Sequence, residues 1–256
     1  CIINIMSRMI ERSIYQAIKD TISTKPVTLI TGARQTGKTT LCGMLRDDLG
    51  IEYVTLADRE ERQMAVNDPS MFLKVHPHPL IIDEVQKAPG LFEEIESVVD
   101  RERLNDPDAH SLYILAGSQA YRLMEGISQS MSGRVSIVTV SPISLSEEYS
   151  RPSRPFSIDV EYSFMPFHAE DGVDMFERMV RGMYPEIVAD KGIQKDSFYS
   201  DYVDTYIMRD VTEMIHVKNR DKFQSFMEVV ASLTGQELVY ETITKAVGID
   251  QKTAKA

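Results

Sequence analysis

The chain has 256 residues, 43% apolar and 26% charged, which is the balance of a globular protein with room for more than one domain and excludes a disordered or low-complexity chain. Its formal net charge of −11 disfavours sequence-independent nucleic-acid binding over the whole surface, though not a local basic patch. Two cysteines, Cys1 and Cys42, give neither a disulfide framework nor a zinc spacing, and no apolar run approaches the ~20 residues that span a bilayer. A reducing, cytoplasmic setting without membrane association is therefore expected, and the opening stretch Cys1–Met6 lacks the basic start of a signal peptide.

In chain order, Arg8–Ile22 carries Ile10, Ile14, Ala17, Ile18 and Ile22 at helical spacing. Val27–Thr31 is a β-branched strand, followed by a glycine loop and a helix from Thr40 through Arg46. Ile51–Leu56 predicts a second strand. Asp58 is placed to cap a helix reaching about Val66, and Asp68-Pro69 to start another. Pro79–Ile82 predicts a strand ending at Asp83-Glu84, and Phe92–Arg103 has a helical face in Phe92, Ile95, Val98 and Val99. A turn at Asn105–Asp108 leads to the strand Leu112–Ala116, a helix near Tyr121–Ser130 and a last strand, Val135–Val140. This alternation predicts an α/β domain with a parallel sheet and helices on both faces.

Residues Gly32-Ala33-Arg34-Gln35-Thr36-Gly37-Lys38-Thr39 spell G-x-x-x-x-G-K-T between a predicted strand and a predicted helix. Gly32 and Gly37 permit positive φ and close approach of an anion to the backbone. The amides of Gly32, Ala33, Arg34, Gln35, Thr36, Gly37, Lys38, Thr39 and Thr40, together with the helix N-terminus, form the expected nucleotide-binding set. Lys38 is expected to reach the β- and γ-phosphate oxygens, and the Thr39 hydroxyl to ligate Mg²⁺.

The second carboxylate-bearing motif agrees. A strand ending at Asp83 brings this residue to the phosphate loop in an open parallel sheet, where it serves Mg²⁺, and Glu84 is then placed to polarise the attacking water. The adjacent pair suits hydrolysis better than transfer to an acceptor hydroxyl, which supplies its own nucleophile. Ser118 or Gln119, ending a neighbouring strand, is expected to reach the γ-phosphate or the water; the plainer alternative is a strand-ending turn. Arg134, in Ser132-Gly133-Arg134, is a candidate for transition-state charge stabilisation, within its own chain or on a neighbouring subunit, with surface charge as the alternative.

Past Ser150 the character changes. The expected organisation is an ATPase-like domain over residues 8–148, a Pro- and Arg-bearing linker over 149–171, a helical region over 172–221 and a further unit over 222–256. Helices are predicted for Asp174–Arg181, Phe198–Glu213 and Phe223–Leu233. Leu238–Ala256 reads as two helices joined at Gly248 with Asp250 capping the second, a spacing shared by helix-turn-helix units and ordinary helical hairpins. The chain stops before the second of these finishes packing, so a longer protein is expected.

These residues together resemble a family of prokaryotic AAA+ P-loop ATPases that join an AAA-type domain to a C-terminal domain of unknown function, DUF4143. The resemblance rests on Thr31–Thr39 as the phosphate loop, Pro79–Pro89 as the Walker B region, Leu115–Gln119 and Ser132–Val135 as later ATPase motifs, Gly182–Glu186 with Met183 replacing the usual second glycine, and Tyr206–Val211. It implies ATP rather than GTP, a winged-helix unit that starts near residue 222 and is cut short, and a longer natural chain. The expected partners are further copies of the chain in a homo-oligomer and a DNA or protein effector engaged by the C-terminal region. The reading is a Mg²⁺-dependent ATPase whose nucleotide state is coupled to the helical region. The alternatives are a nucleotide-dependent DNA-binding regulator with incidental hydrolysis and a phosphotransferase.

Overall fold

The computed structural model describes residues 9–118, 131–151, 169–207 and 220–255. The chain divides into two compact units, residues 1–193 and 194–256. Gln119, the helix predicted near Tyr121–Ser130 and most of the predicted linker lie outside the described residues.

The first unit is built on β1 (Val27–Thr31), β2 (Glu52–Thr55), β3 (Leu80–Asp83), β4 (Tyr113–Ala116) and β5 (Val135–Thr139). All pairings are parallel and the order across the sheet is β2-β3-β4-β1-β5. Period-2 alternation sorts the side chains between two cores. Val27 and Leu29, Leu80 and Ile82, Tyr113 and Leu115 face α3 (Arg59–Asn67), α4 (Pro69–Val75) and α5 (Leu91–Asn105) through Ala65, Phe72, Phe92, Ile95 and Val99. Ile30, Ile81, Ile114 and Ala116 face α1 (Ile14–Ile22) and α2 (Lys38–Leu49) through Ile18, Ile22, Leu41, Cys42 and Leu45. Strands coated on both faces in this way read as nearly continuous apolar runs, which is why the sequence pattern identifies them.

The strand order reverses between β1 and β4: β1 is followed in the chain by β2 at one edge, and β4 by β5 on the far side of β1. The carboxyl ends of β1 and β4 therefore flank the kind of switch point where open α/β sheets bind ligands.

The caps at Asp58 and Asp68 are present: Asp58 accepts from the Glu60 and Glu61 amides, and Asp68 from Met71. Helix α1 starts at Ile14 rather than Arg8, because Ser13 N–H and the Arg12 side chain are taken up by Glu147. After β5 come α6 (Leu145–Glu148), α7 (Ala169–Arg181), closed by Gly182 at φ 80°, and α8 (Pro185–Ala189).

In the second unit, α9 (Lys195–Tyr202) runs into a π-helical turn, Val203–Ile207. Phe198, Tyr202 and Tyr206 follow at i, i+4 spacing, with ring centroids 6.3 and 5.4 Å apart. The helix predicted over Phe198–Glu213 thus begins earlier, at Lys195, and turns π-helical from Val203; residues 208–213 of that prediction lie outside the described residues. Helices α10 (Arg220–Ser232), α11 (Tyr240–Val247) and α12 (Gln251–Lys255) follow. Gly248 ends α11 in the left-handed region at φ 69°, and Asp250 caps α12 through the Thr253 amide at 2.9 Å.

Candidate nucleotide site

The phosphate loop leaves β1 at its carboxyl end. Gly32 has φ 144°, and a Cβ there would sit 2.2 Å from the Val140 carbonyl oxygen, so only glycine lets the loop pass the end of the β5 segment. Gly37, at φ 94°, opens α2. Thr36 is fully buried and closes the loop internally, its hydroxyl donating to Ala33 O at 2.9 Å. Lys38 Nζ donates to Gly32 O at 3.0 Å and Ala33 O at 2.6 Å, leaving one of its three donors for a phosphate oxygen. Lys38 as a whole residue is only 7% exposed. Burial pulls its pKa below the ordinary lysine range, and Glu84 and Asp83 act against that pull.

Asp83 ends β3 beside the start of α2. The Thr39 hydroxyl donates to its Oδ2 at 2.8 Å, the Tyr53 hydroxyl donates to the same oxygen at 3.0 Å, and the Glu84 amide donates to Oδ1 at 2.9 Å. Burial, followed by the Asp83 charge, raises the Tyr53 pKa, so Tyr53 remains a donor. A hydroxyl and a carboxylate meeting in this way form a hard oxygen set, and the residues fit Mg²⁺. Glu84 has left-handed backbone geometry, φ 59°, an unusual conformation for a glutamate. Its carboxylate accepts from Gln86 Nε2 at 2.7 Å and pairs with Lys87 Nζ at 3.6 Å.

Strand β4 lies between β1 and β3, and the Gly117 amide donates to Ile30 O at 3.1 Å, so Ser118 emerges beside the start of the loop. Its Oγ is buried and has no hydrogen-bond partner among the described residues. The Thr28 and Thr31 hydroxyls on β1 are likewise buried without a partner among the described residues. The site thus gathers Gly32 through Thr40, Asp83, Glu84 and Ser118.

Arg134 is elsewhere. It precedes β5 at the amino end of the sheet, where Val135 is in register with Val27, whereas the loop follows Thr31 at the other end. Its guanidinium forks onto Asp100 at 2.6 and 2.8 Å and reaches Glu96 at 3.0 Å, both on α5. The structure does not bring Arg134 to its own chain's phosphate loop.

Two residues that hold the site escape a motif search. Tyr53 is legible only as an apolar strand residue, and its contact depends on β2 pairing with β3. Arg12 donates to the Thr36 carbonyl at 2.8 Å from a segment ahead of the first strand.

Residues 24–149 match the family model described as the AAA domain. Residues 173–256 match a domain of unknown function, DUF8612, in place of the DUF4143 domain that the resemblance implied. An uncharacterized protein of Mycobacterium tuberculosis is 32% identical over 120 residues, 47% of this chain and 26% of the relative, and one of Mycobacterium bovis matches to the same extent. The chain therefore spans about a quarter of the length of these curated relatives. Among solved structures, a Walker-type ATPase of Pyrococcus abyssi has a TM-score of 0.52 at 12% identity, covering 94% of this chain and 89% of that one. The fold is that of a P-loop ATPase.

Proposed function

We propose that this chain binds ATP with Mg²⁺ and hydrolyses it to ADP and phosphate. The observation that carries the reading is the Thr39 hydroxyl 2.8 Å from the Asp83 carboxylate, a link between the phosphate loop and the acidic strand end. In this reading the loop amides and Lys38 bind the β- and γ-phosphates, and Thr39 and Asp83 hold Mg²⁺. When bound there, Mg²⁺ would supply neutralisation of the charge that develops on the phosphate oxygens. Glu84 orients and deprotonates the attacking water, with its carboxylate steadied by Gln86 and Lys87. Ser118 contacts the γ-phosphate from β4. Arg134 acts on the site of a neighbouring copy in a homo-oligomer. The helical region after α6 carries the response to nucleotide state.

Calorimetry with Mg-ATP and a phosphate-release assay test this. Lys38→Ala is expected to abolish binding. No heat of association in folded wild-type protein would refute the reading.

A second reading is a nucleotide-dependent DNA-binding regulator. It is favoured by the α11–Gly248–α12 turn, in which Gln251, Lys252, Thr253 and Lys255 are exposed or partly exposed on the capped second helix. A salt-dependent mobility shift supports it, and no binding at low salt refutes it.

A further inference from the structure

Arg12 lies outside every recognised motif, yet its guanidinium joins three separate segments. Nη1 donates to Thr36 O at 2.8 Å, Nη2 to Ser141 O at 2.6 Å and Nε to Glu147 Oε1 at 3.1 Å. The two side chains of this ion pair are 9% and 6% exposed. Glu147 is itself firmly held. Its Oε1 also accepts from Ser13 N at 2.8 Å and Ser13 Oγ at 3.0 Å, and its Oε2 from Ser144 N at 2.8 Å and Ser144 Oγ at 3.0 Å. A shielded charge pair persists only when its remaining donors and acceptors are used, and here they are.

The contact with Thr36 bears directly on anion binding. In a trans peptide the carbonyl and the following N–H point in opposite directions. Drawing the Thr36 carbonyl outward to Arg12 therefore turns the Gly37 N–H the other way, into the loop. The guanidinium also packs against this glycine: a Cβ on Gly37 would meet Arg12 Nη1 at 3.5 Å. Arg12 thus holds the outer side of the peptide whose inner side faces the phosphate position. The anchor continues outward, because Glu148, next to Glu147 on α6, pairs with Arg178 at 2.8 Å and Arg181 at 3.6 Å on α7.

We propose that Arg12 is a positioning residue for the phosphate loop: anchored by Glu147, it fixes the orientation of the Thr36–Gly37 peptide and ties the loop to helix α6. The consequence for Mg-ATP rests on the nucleotide-binding reading above; the orientation of the loop does not.

Hydrogen exchange read by mass spectrometry on the nucleotide-free full chain tests this, comparing wild type with Arg12→Lys, Arg12→Ala and Glu147→Gln. Lysine keeps the charge and lacks the planar fork needed for three acceptors. Exchange at the loop amides 33–37 is expected to quicken about tenfold in Arg12→Lys and Glu147→Gln, the scale of one charge-assisted hydrogen bond, while β1, β3 and β4 stay protected. Mg-ATP affinity is expected to fall about tenfold alongside. Unchanged loop exchange in both Arg12 variants with the strands protected overturns the proposal. Loss of protection throughout the first unit in all three variants also overturns it, by assigning the pair to fold stability. If wild-type protein binds no Mg-ATP, the function reading fails, and the exchange comparison still decides this one.

Discussion

At the scale of single residues, the proposed reaction assigns binding and chemistry to different side chains. The Glu84 carboxylate accepts from Gln86 and pairs with Lys87, whereas the Thr39 hydroxyl goes to Asp83. Removing the basicity of Glu84 while keeping its shape should spare ATP affinity and slow turnover. We expect Glu84→Gln to bind Mg-ATP within about twofold of wild type and to release phosphate roughly 10²–10³ times more slowly; unchanged turnover would remove Glu84 from that role. Tyr53→Phe deletes one of two hydroxyl donors to Asp83 Oδ2 and is expected to raise the Mg²⁺ concentration for half-maximal turnover several-fold, with little change at saturating Mg²⁺. Glu147 gives a pH signature. Burial alone would raise its pKa, but the Ser144 and Ser13 amides and Arg12 overcome that and bring it down to about 2. A carboxyl depressed in the fold stabilises it above the unfolded pKa of about 4.5, and that stabilisation disappears as pH falls toward 2. The difference corresponds to at most roughly 3 kcal/mol, and solvent screening lowers it. Urea unfolding from pH 5 down to pH 2 should show this loss in wild type and a smaller one in Glu147→Gln.

At the scale of elements, the short helix α6 connects the loop to the rest of the unit. Its start is a capping box, in which Ser144 Oγ accepts from the Glu147 amide and the Glu147 side chain accepts from the Ser144 amide. Ser144→Ala should cost about 1 kcal/mol in urea unfolding, without altering the strands. A loss within error of zero would mean that Arg12, Ser13 and the backbone amide of residue 144 hold Glu147 without the hydroxyl. The comparison of sequence with structure turns on elements of this kind. The glycine loop, β1, β3 and the Asp58 and Asp68 caps were legible because each depends on residues a few positions apart. The S-x-x-E signature at 144–147 was equally local, and α6 could have been read from it. The partnership of Arg12 with Glu147 could not, because 135 positions separate them and only the folded sheet brings them together. Tyr53 is a similar case: its strand was predicted, but its hydroxyl finds Asp83 only once β2 pairs with β3.

At the scale of the whole molecule, the position of Arg134 decides how copies of the chain must relate if it contributes to hydrolysis. β5 is five residues long and parallel to β1. At ~3.3 Å per residue the Arg134 backbone therefore stands about 16 Å from the loop end of the sheet, and its guanidinium is turned onto α5. No side chain spans that distance, so any transition-state role needs a second copy whose Arg134 edge meets the first copy's loop. A heterologous contact of this type repeats around a ring. The arrangement makes complementation a sharp test. Arg134→Ala retains Glu84, and Glu84→Gln retains Arg134, so each homogeneous assembly lacks one group at every site. Mixed assemblies contain interfaces where an intact Glu84 faces an intact Arg134. Phosphate release from the mixture, after time for subunit exchange, is expected to exceed the sum of the separate activities several-fold, and the gain should vanish on dilution below the assembly concentration. Both variants must first unfold at temperatures close to wild type, since Arg134→Ala also frees Asp100 and Glu96. A mixture no more active than its parts would leave Arg134 as an ion-pair anchor of β5 on α5.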